Sequence, residues 1–228
     1  MVRAMEFKDR SDAGRRLARA LIGYRGQQPV VLALPRGGVP VAAEVAAVLK
    51  APLDLILVRK VGVPLQPELA MGAVVDGDVP LVVRNEDVIL LAGISESQFR
   101  AACERELTEI ERRRRLYADH RGRAEVAGRT AIVIDDGIAT GATMRAALCA
   151  TRMRNPQRLV LAVPVGPTDN LAALRGEADD IICLEEHRLF GAIGAYYRSF
   201  TQVSDREVIA LLRRFPLQDA AEVKQAVT

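Results

Sequence analysis

Residues 131–143 read AIVIDDGIATGAT, and this stretch decides how the whole sequence is interpreted. Four apolar residues form a short buried strand, Asp135 and Asp136 follow at once, and small residues then lead into a helical pattern. A loop with so few side chains lets backbone N–H groups approach a phosphate, and the first turn of the helix adds unpaired donors. The two acids instead suit sugar hydroxyls or the water shell of magnesium. A phosphorylated ribose with magnesium combines all of these parts, whereas helix capping, the alternative role, needs only one acid.

The stretch resembles the signature of the type I phosphoribosyltransferases, which bind phosphoribosyl pyrophosphate (PRPP). In that signature a hydrophobic strand precedes two acids and a small-residue loop ending T-G-x-T, as residues 140–143 do here. Two further segments extend the resemblance to a bacterial stand-alone phosphoribosyltransferase subgroup. They are LPRGGVP at residues 34–40 and RKVGVPLQPELAMGAV at residues 59–74. The order of segments holds over residues 7–215, but the C-terminal region does not match the base-recognition segments of purine, orotate or uracil enzymes.

The resemblance implies a role for each segment. Asp135 and Asp136 would hold the ribose hydroxyls and, through water, the cofactor Mg²⁺. The 5-phosphate would bind the loop of Gly137, Ile138, Ala139, Thr140, Gly141, Ala142 and Thr143. Pyrophosphate would bind Arg36, Gly37, Gly38, Arg59 and Lys60. The catalytic residues predicted in this way are Asp135, Asp136, Arg36 and Lys60.

The segment at residues 34–40 joins a predicted strand to a predicted helix. Its two glycines permit close backbone approach, and Arg36 offers a forked cation to phosphate oxygens. The resemblance places pyrophosphate here and implies a non-proline cis peptide bond, which we expect between Arg36 and Gly37. An ordinary glycine-rich turn is the alternative.

Glycines and prolines in residues 58–74 predict a loop rather than a regular element. Related transferases carry a mobile loop here that closes over PRPP and excludes water. Arg59 and Lys60 would then meet the leaving pyrophosphate, and Glu68 could orient the loop. Ordinary surface charge is the alternative for all three side chains.

Strand-like and helix-like segments alternate along the chain. Strands are predicted at residues 30–34, 55–58, 131–134, 159–163 and 180–184, and helices at residues 38–49, 142–153, 170–174 and 205–215. Continuous apolar strands separated by helices indicate an α/β fold, a central mostly parallel sheet flanked by helices. We expect a single domain over residues 1–228, with a helical insertion at residues 95–121 and a small C-terminal lobe at residues 185–228.

Residues 95–121 predict one long, charged, amphipathic helix. Ser95 and Gln98 have the spacing of a capping box. An apolar stripe of Phe99, Leu107, Ile110 and Leu116 should pack on the core or on a partner subunit. The arginine run at residues 112–115 could suggest nucleic acid, but the acids that precede it favour a solvated helix end.

The C-terminal part concentrates the few aromatic residues. Tyr196, Tyr197 and Phe200 could form a wall on which a nucleobase stacks, in a small lobe over the site. Alternatively, these rings complete the core beneath the last helix.

Composition narrows the class of protein. No apolar run is long enough to cross a bilayer, and the charged N-terminus does not resemble a signal peptide, so we expect a cytoplasmic protein. Three scattered cysteines and two histidines do not indicate a disulfide set or a zinc site. A net charge of +3 suits an anionic small molecule and does not favour nucleic acid. A homodimer is expected.

The predicted function is Mg²⁺-dependent transfer of 5-phosphoribosyl from PRPP to a nitrogenous base, with release of pyrophosphate. The alternative is a non-catalytic regulatory protein that senses PRPP or a nucleotide. A phospho-receiver domain would need its acid pair after the first strand, and the fingerprints of dinucleotide and P-loop enzymes are absent from the sequence.

Overall fold

The computed structural model describes residues 6–77, 80–118 and 122–217. The helices are α1 (Arg10–Ala20), α2 (Gly38–Leu49), α3 (Glu86–Leu91), α4 (Glu96–Ala118), α5 (Ala142–Arg152), α6 (Thr168–Ala173) and α7 (Asp205–Leu212). The strands are β1 (Pro29–Ala33), β2 (Leu53–Leu55), β3 (Val58–Val63), β4 (Gln66–Val75), β5 (Leu81–Arg84), β6 (Thr130–Ile134), β7 (Arg158–Pro167) and β8 (Asp180–His187). Among the helices in these ranges, none is both long and apolar enough to span a membrane.

Five parallel strands form the central sheet, in the order β2-β1-β6-β7-β8. One core cluster joins the sheet to α1, α2, α4 and α7, and a second joins it to α5 and α6. Because helices cover both faces, every residue of β1 and β6 is buried. The predicted α/β class is confirmed. Since all five strands are parallel, the loops that follow them gather at one edge of the sheet.

Most predicted elements are confirmed, and the helix expected at residues 38–49 has those bounds. The second strand was placed wrongly at residues 55–58, because β2 ends at Leu55 and Val58 already begins β3 in another sheet. Apolar residues continue through this junction, so hydrophobicity alone does not show where pairing with β1 ends. The last helix also ends earlier than residue 215, at Leu212.

Residues 58–75 are mostly strand, so the prediction of a loop there is wrong. Strands β3, β4 and β5 form a three-stranded antiparallel sheet. The glycines that suggested a loop instead permit this pairing. The register between β3 and β4 shifts at Gly62, and a Cβ at Gly72 would lie 2.5 Å from the carbonyl oxygen of Val83. Composition alone cannot distinguish such glycines from loop glycines.

The predicted long helix is α4, and residues 119–121 of that prediction lie outside the described residues. The capping box is confirmed, because Ser95 and Gln98 each accept a hydrogen bond from the backbone N–H of the other. The helix packs on the core through buried Phe99 and Ile110. The prediction that Leu116 joins this stripe is wrong. It is 37% exposed, and the neighbouring Tyr117 is buried in its place, because the helix presents that face to the core.

Candidate functional site

The acid pair and the first glycine loop meet at the carboxyl ends of neighbouring strands, β6 and β1. A Cβ at Gly37 would lie 2.0 Å from Oδ2 of Asp136, and a Cβ at Gly38 would lie 2.9 Å from the Cα of Asp135. Any larger residue at either position would therefore collide with an acid residue. The two glycines are what allow the loop after β1 to rest directly on the acid pair.

A non-proline cis peptide bond does occur in this loop, but it joins Pro35 to Arg36. The prediction that it joins Arg36 to Gly37 is wrong by one bond. Gly37 already has helical dihedral angles, φ −62° and ψ −36°, as the residue that precedes α2. The peptide bond between Arg36 and Gly37 therefore leads directly into α2.

The two carboxyls lie in a poorly solvated setting. Asp136 is 7% exposed. Burial raises the pKa of both carboxyls, and the neighbouring charge of Asp136 raises the pKa of Asp135 further. Ionised carboxylates so placed attract a compensating cation or hydroxyl donors.

Arg10 supplies part of that compensation, and sequence reasoning missed it. Its Nε donates to Oδ2 of Asp136 at 2.7 Å, in an ion pair whose side chains are 11% and 10% exposed. The same guanidinium donates to the carbonyl oxygen of Thr201 at 2.7 Å and lies 3.8 Å from the ring centroid of Phe200. No local signal in the sequence singles out this first residue of α1.

Tyr197 stabilises the backbone of the acid pair. Its hydroxyl donates to the carbonyl oxygen of Asp136 at 2.6 Å, and its ring packs against Phe7 with centroids 5.3 Å apart. At 5% exposure, Tyr197 is part of the core. Of the two roles open for the C-terminal aromatics, its position favours core packing.

The other C-terminal aromatics are more accessible. Tyr196 is half-buried, stacks on Phe190 with centroids 5.0 Å apart, and lies 4.5 Å from the ring of His187. Phe200 is 37% exposed beside Arg10. Phe200 therefore borders Arg10, the ion-pair partner of Asp136, whereas Tyr196 contacts Phe190 and His187.

The small-residue loop after the acid pair is anchored at its start and open at its end. Ile138 is buried, and its N–H donates to the carbonyl oxygen of Val165 at 2.9 Å. From Ala139 to Met144, no backbone N–H donates a hydrogen bond to a described residue. Gly141, with φ +82°, turns the chain into α5. A run of unpaired N–H groups at a helix start is a binding site for an anion.

Each of the three cationic side chains predicted to bind pyrophosphate lies near a carboxylate. Nη1 of Arg36 lies 3.8 Å from Oδ1 of Asp205, and Nε of Arg59 lies 2.7 Å from Oε2 of Glu106. Nζ of Lys60 lies 3.0 Å from Oε2 of Glu68, across the hairpin of β3 and β4. Arg36 borders the acid pair through the glycine loop, whereas Arg59 and Lys60 belong to the second sheet.

This chain matches a known protein family and two relatives in sequence. A family model described as "Phosphoribosyl transferase domain" matches residues 6–195. Two Mycobacterium tuberculosis proteins, "Putative phosphoribosyl transferase MT0597" from strain CDC 1551 and "Putative phosphoribosyl transferase Rv0571c" from strain H37Rv, are 49% identical over 208 residues. The match covers 91% of this chain and 46% of each relative, so the chain spans about half the length of these relatives.

A solved structure shares the fold. The crystal structure of TT1426 from Thermus thermophilus is 40% identical to this chain with a TM-score of 0.81. The likeness covers 93% of this chain and 100% of that one. The overall fold of this chain therefore has a counterpart in a solved structure.

Proposed function

Because the chain belongs to the phosphoribosyl transferase domain family, we propose that it transfers the 5-phosphoribosyl group of PRPP to a nitrogenous base, with Mg²⁺, and releases pyrophosphate. The observation that carries this proposal is the contact of Gly37 and Gly38 with Asp136 and Asp135. This contact sets the glycine loop against the pair of carboxylates, and residues 139–144, whose backbone N–H groups are unpaired within the described residues, follow those carboxylates along the chain. PRPP has a matching order of groups: pyrophosphate, ribose hydroxyls and 5-phosphate.

In the proposed complex, the 5-phosphate binds the residues 137–143 loop. The unpaired N–H groups from Ala139 onward donate to its oxygens, and the exposed Thr140 and Thr143 add hydroxyl donors. The positive end of α5 favours the negative charge. The pyrophosphate lies against Gly37, Gly38 and Arg36, where the lack of side chains lets backbone and guanidinium approach together.

The donor set of the acid pair fits a hydrated magnesium ion. Within the described residues, no group of three or more acid, histidine or cysteine side chains is arranged to hold a metal. Two neighbouring carboxylates do suit Mg²⁺, which keeps several waters and binds proteins through one or two carboxylates plus substrate phosphates. Asp135 and Asp136 would hold it through water and accept from the ribose hydroxyls. When bound, magnesium neutralises charge on the pyrophosphate.

The reaction breaks the bond from ribose C1 to the pyrophosphate oxygen, and a base nitrogen forms the new bond to C1 from the opposite face. Positive charge develops on the ribose, so Asp135 and Asp136 in their ionised forms stabilise the transition state. Arg36 stabilises the charge on the departing pyrophosphate. The protein acts by positioning and electrostatics and forms no covalent intermediate.

The hairpin of β3 and β4 is the candidate cover of the site. Its tip is solvent-exposed, with Leu65 94% exposed. Closure of this hairpin would exclude water and carry Arg59 and Lys60 toward the pyrophosphate.

Tyr196 and Phe200 form the proposed wall for the acceptor base, and we assign Tyr197 to the support of Asp136. We also propose that the chain forms a single domain with a small C-terminal lobe and that it assembles as a homodimer.

Gly37→Ala is expected to lower PRPP-dependent turnover by about 100-fold, since misplacing a catalytic group by about 1 Å can cost that much. The new Cβ would lie 2.0 Å from Oδ2 of Asp136, the oxygen that also accepts from Nε of Arg10. Steady-state kinetics measure the loss. Gly176→Ala is the matched control, because a Cβ at Gly176 meets nothing within 4 Å, and turnover there should be unchanged. Equal turnover in both variants would contradict the proposed placement of the pyrophosphate loop.

Calorimetric titration with PRPP, with and without magnesium, tests the function itself. Micromolar, magnesium-dependent binding supports it, and release of pyrophosphate in a screen of purine and pyrimidine bases would identify the acceptor. Binding without turnover for any base would favour the PRPP-sensing alternative. Absence of binding under both conditions would overturn the proposal.

A further inference from the structure

We propose that two carboxylates, Glu106 and Asp205, determine the affinity of the site for pyrophosphate by neutralising the arginines that would bind it. The inference rests on the proposed function. It gives a role to α4, because this helix supplies one carboxylate directly and fixes the other.

The first pair joins α4 to the second sheet. Glu106 accepts from Nε of Arg59 at 2.7 Å, and the two side chains are 26% and 34% exposed. The core holds α4 through Phe99, Cys103 and Ile110, all at most 5% exposed. Glu106 is therefore carried by a fixed element, and Arg59 meets its charge whenever β3 has the observed position.

The second pair joins α7 to the loop after β1. Oδ1 of Asp205 lies 3.8 Å from Nη1 of Arg36, too far for a hydrogen bond but close enough for electrostatic attraction. The hydroxyl of Tyr117, in the last turn of α4, donates to the same Oδ1 at 2.5 Å. Burial and this hydrogen bond raise the pKa of Tyr117 to about 12. The phenol therefore remains a donor at neutral pH and holds Asp205 beside Arg36.

Both contacts oppose an incoming pyrophosphate. The anion must either displace a carboxylate from the guanidinium or approach with that negative charge nearby. Because these side chains are partly exposed, such pairs are individually weak, and releasing one arginine should change affinity by about two- to fivefold. PRPP has its ribose and 5-phosphate contacts in addition, whereas free pyrophosphate depends on the neutralised cations. The arrangement therefore favours departure of the product.

The test is calorimetric titration of the full chain with inorganic pyrophosphate and with PRPP, in magnesium at low salt. Glu106→Gln and Asp205→Asn each remove a charge while keeping an acceptor of similar size. We expect each to bind pyrophosphate about two- to fivefold more tightly than the wild type, with effects that multiply in the double variant. The gain should shrink at high salt, because added ions screen exposed charges.

Glu111→Gln is the matched control. Glu111 lies on the same helix and loses the same charge, but it pairs with Arg115 of that helix, with side chains 65% and 77% exposed. Its pyrophosphate affinity should equal that of the wild type. Because Asp205 also begins α7, Tyr117→Phe serves as a second variant: it keeps the charge but frees the carboxylate, so affinity should rise by less than in Asp205→Asn.

The outcomes separate this inference from the proposed function. If the wild type binds PRPP and pyrophosphate but Glu106→Gln and Asp205→Asn bind no more tightly, the inference is wrong and the function stands. Weaker binding in these variants would also overturn it, because the carboxylates would then orient the arginines rather than neutralise them. If the wild type binds neither ligand, both the function and the inference fail.

Discussion

Replacing both Asp135 and Asp136 with Asn is expected to reduce PRPP-dependent turnover by roughly 1,000-fold or more. Removal of one group that stabilises charge in a transition state typically costs about 100- to 1,000-fold, and here both carboxylates that we propose to face the ribose are neutralised. Steady-state kinetics with saturating base and PRPP measure the loss, and calorimetry measures the accompanying loss of magnesium-dependent binding. Turnover that survives the double replacement would overturn the proposed mechanism.

The single variant Asp135→Asn shows whether such a loss reflects chemistry or unfolding. Burial raises the pKa of Asp135, so its ionised form is disfavoured in the folded chain. Asn removes that charge and can still accept from the backbone N–H of Asp136, which lies 2.8 Å from Oδ1. We therefore expect lower turnover together with a higher Tm at pH 7. Asp136→Asn should lower Tm instead, because it deprives buried Arg10 of its counter-ion.

Arg114→Met is expected to lower the free energy of unfolding by about 3 kcal/mol, as for other buried ion pairs that lose one partner. Nη1 of Arg114 lies 3.5 Å from both Oδ1 of Asp54 and Oδ2 of Asp76, and these carboxylates are 6% and 5% exposed. The variant leaves Asp76 with Arg123, at 3.3 Å. In a domain of this size the loss corresponds to a fall in Tm of roughly 6–12 °C, measurable by thermal unfolding.

Arg115→Met is the matched control for that prediction. Arg115 follows Arg114 on the same helix, is 77% exposed, and pairs only with exposed Glu111 among the described residues. Its replacement should change stability by less than about 0.5 kcal/mol. Equal effects of the two variants would show that the buried cluster does not anchor α4.

The loss in free energy of unfolding caused by Arg114→Met, the stability deficit, should depend on pH. Burial raises the pKa of Asp76 even though Arg114 and Arg123 lower it. For an acid whose folded pKa exceeds its unfolded value, stability is lost as pH rises through the folded pKa. Removing Arg114 raises that pKa further, so the deficit should be greatest at neutral pH and shrink toward about pH 4, the unfolded value. A deficit that is constant between about pH 4.5 and pH 7 would contradict this explanation.

Local signals in the sequence determined the parts of the site that lie within one short segment. Residues 131–143 contain the strand, the acid pair, the anion loop and the helix start in unbroken order, so each part constrains the next. The bounds of α2 and the capping box at Ser95 and Gln98 were readable for the same reason. The family and the α/β class followed from these segments and their order.

Only the tertiary structure decided which distant residues lie beside the acid pair and Arg36 at the candidate site. Arg10 and Asp136 are 126 positions apart, and Arg36 meets Asp205 only because α7 packs against α2. The same holds for the pairing of β3 with β4, where glycines that resembled loop residues allow two strands to approach closely. Periodicity and composition report what a residue prefers on average, whereas the partner of a buried charge depends on which surfaces the fold brings together.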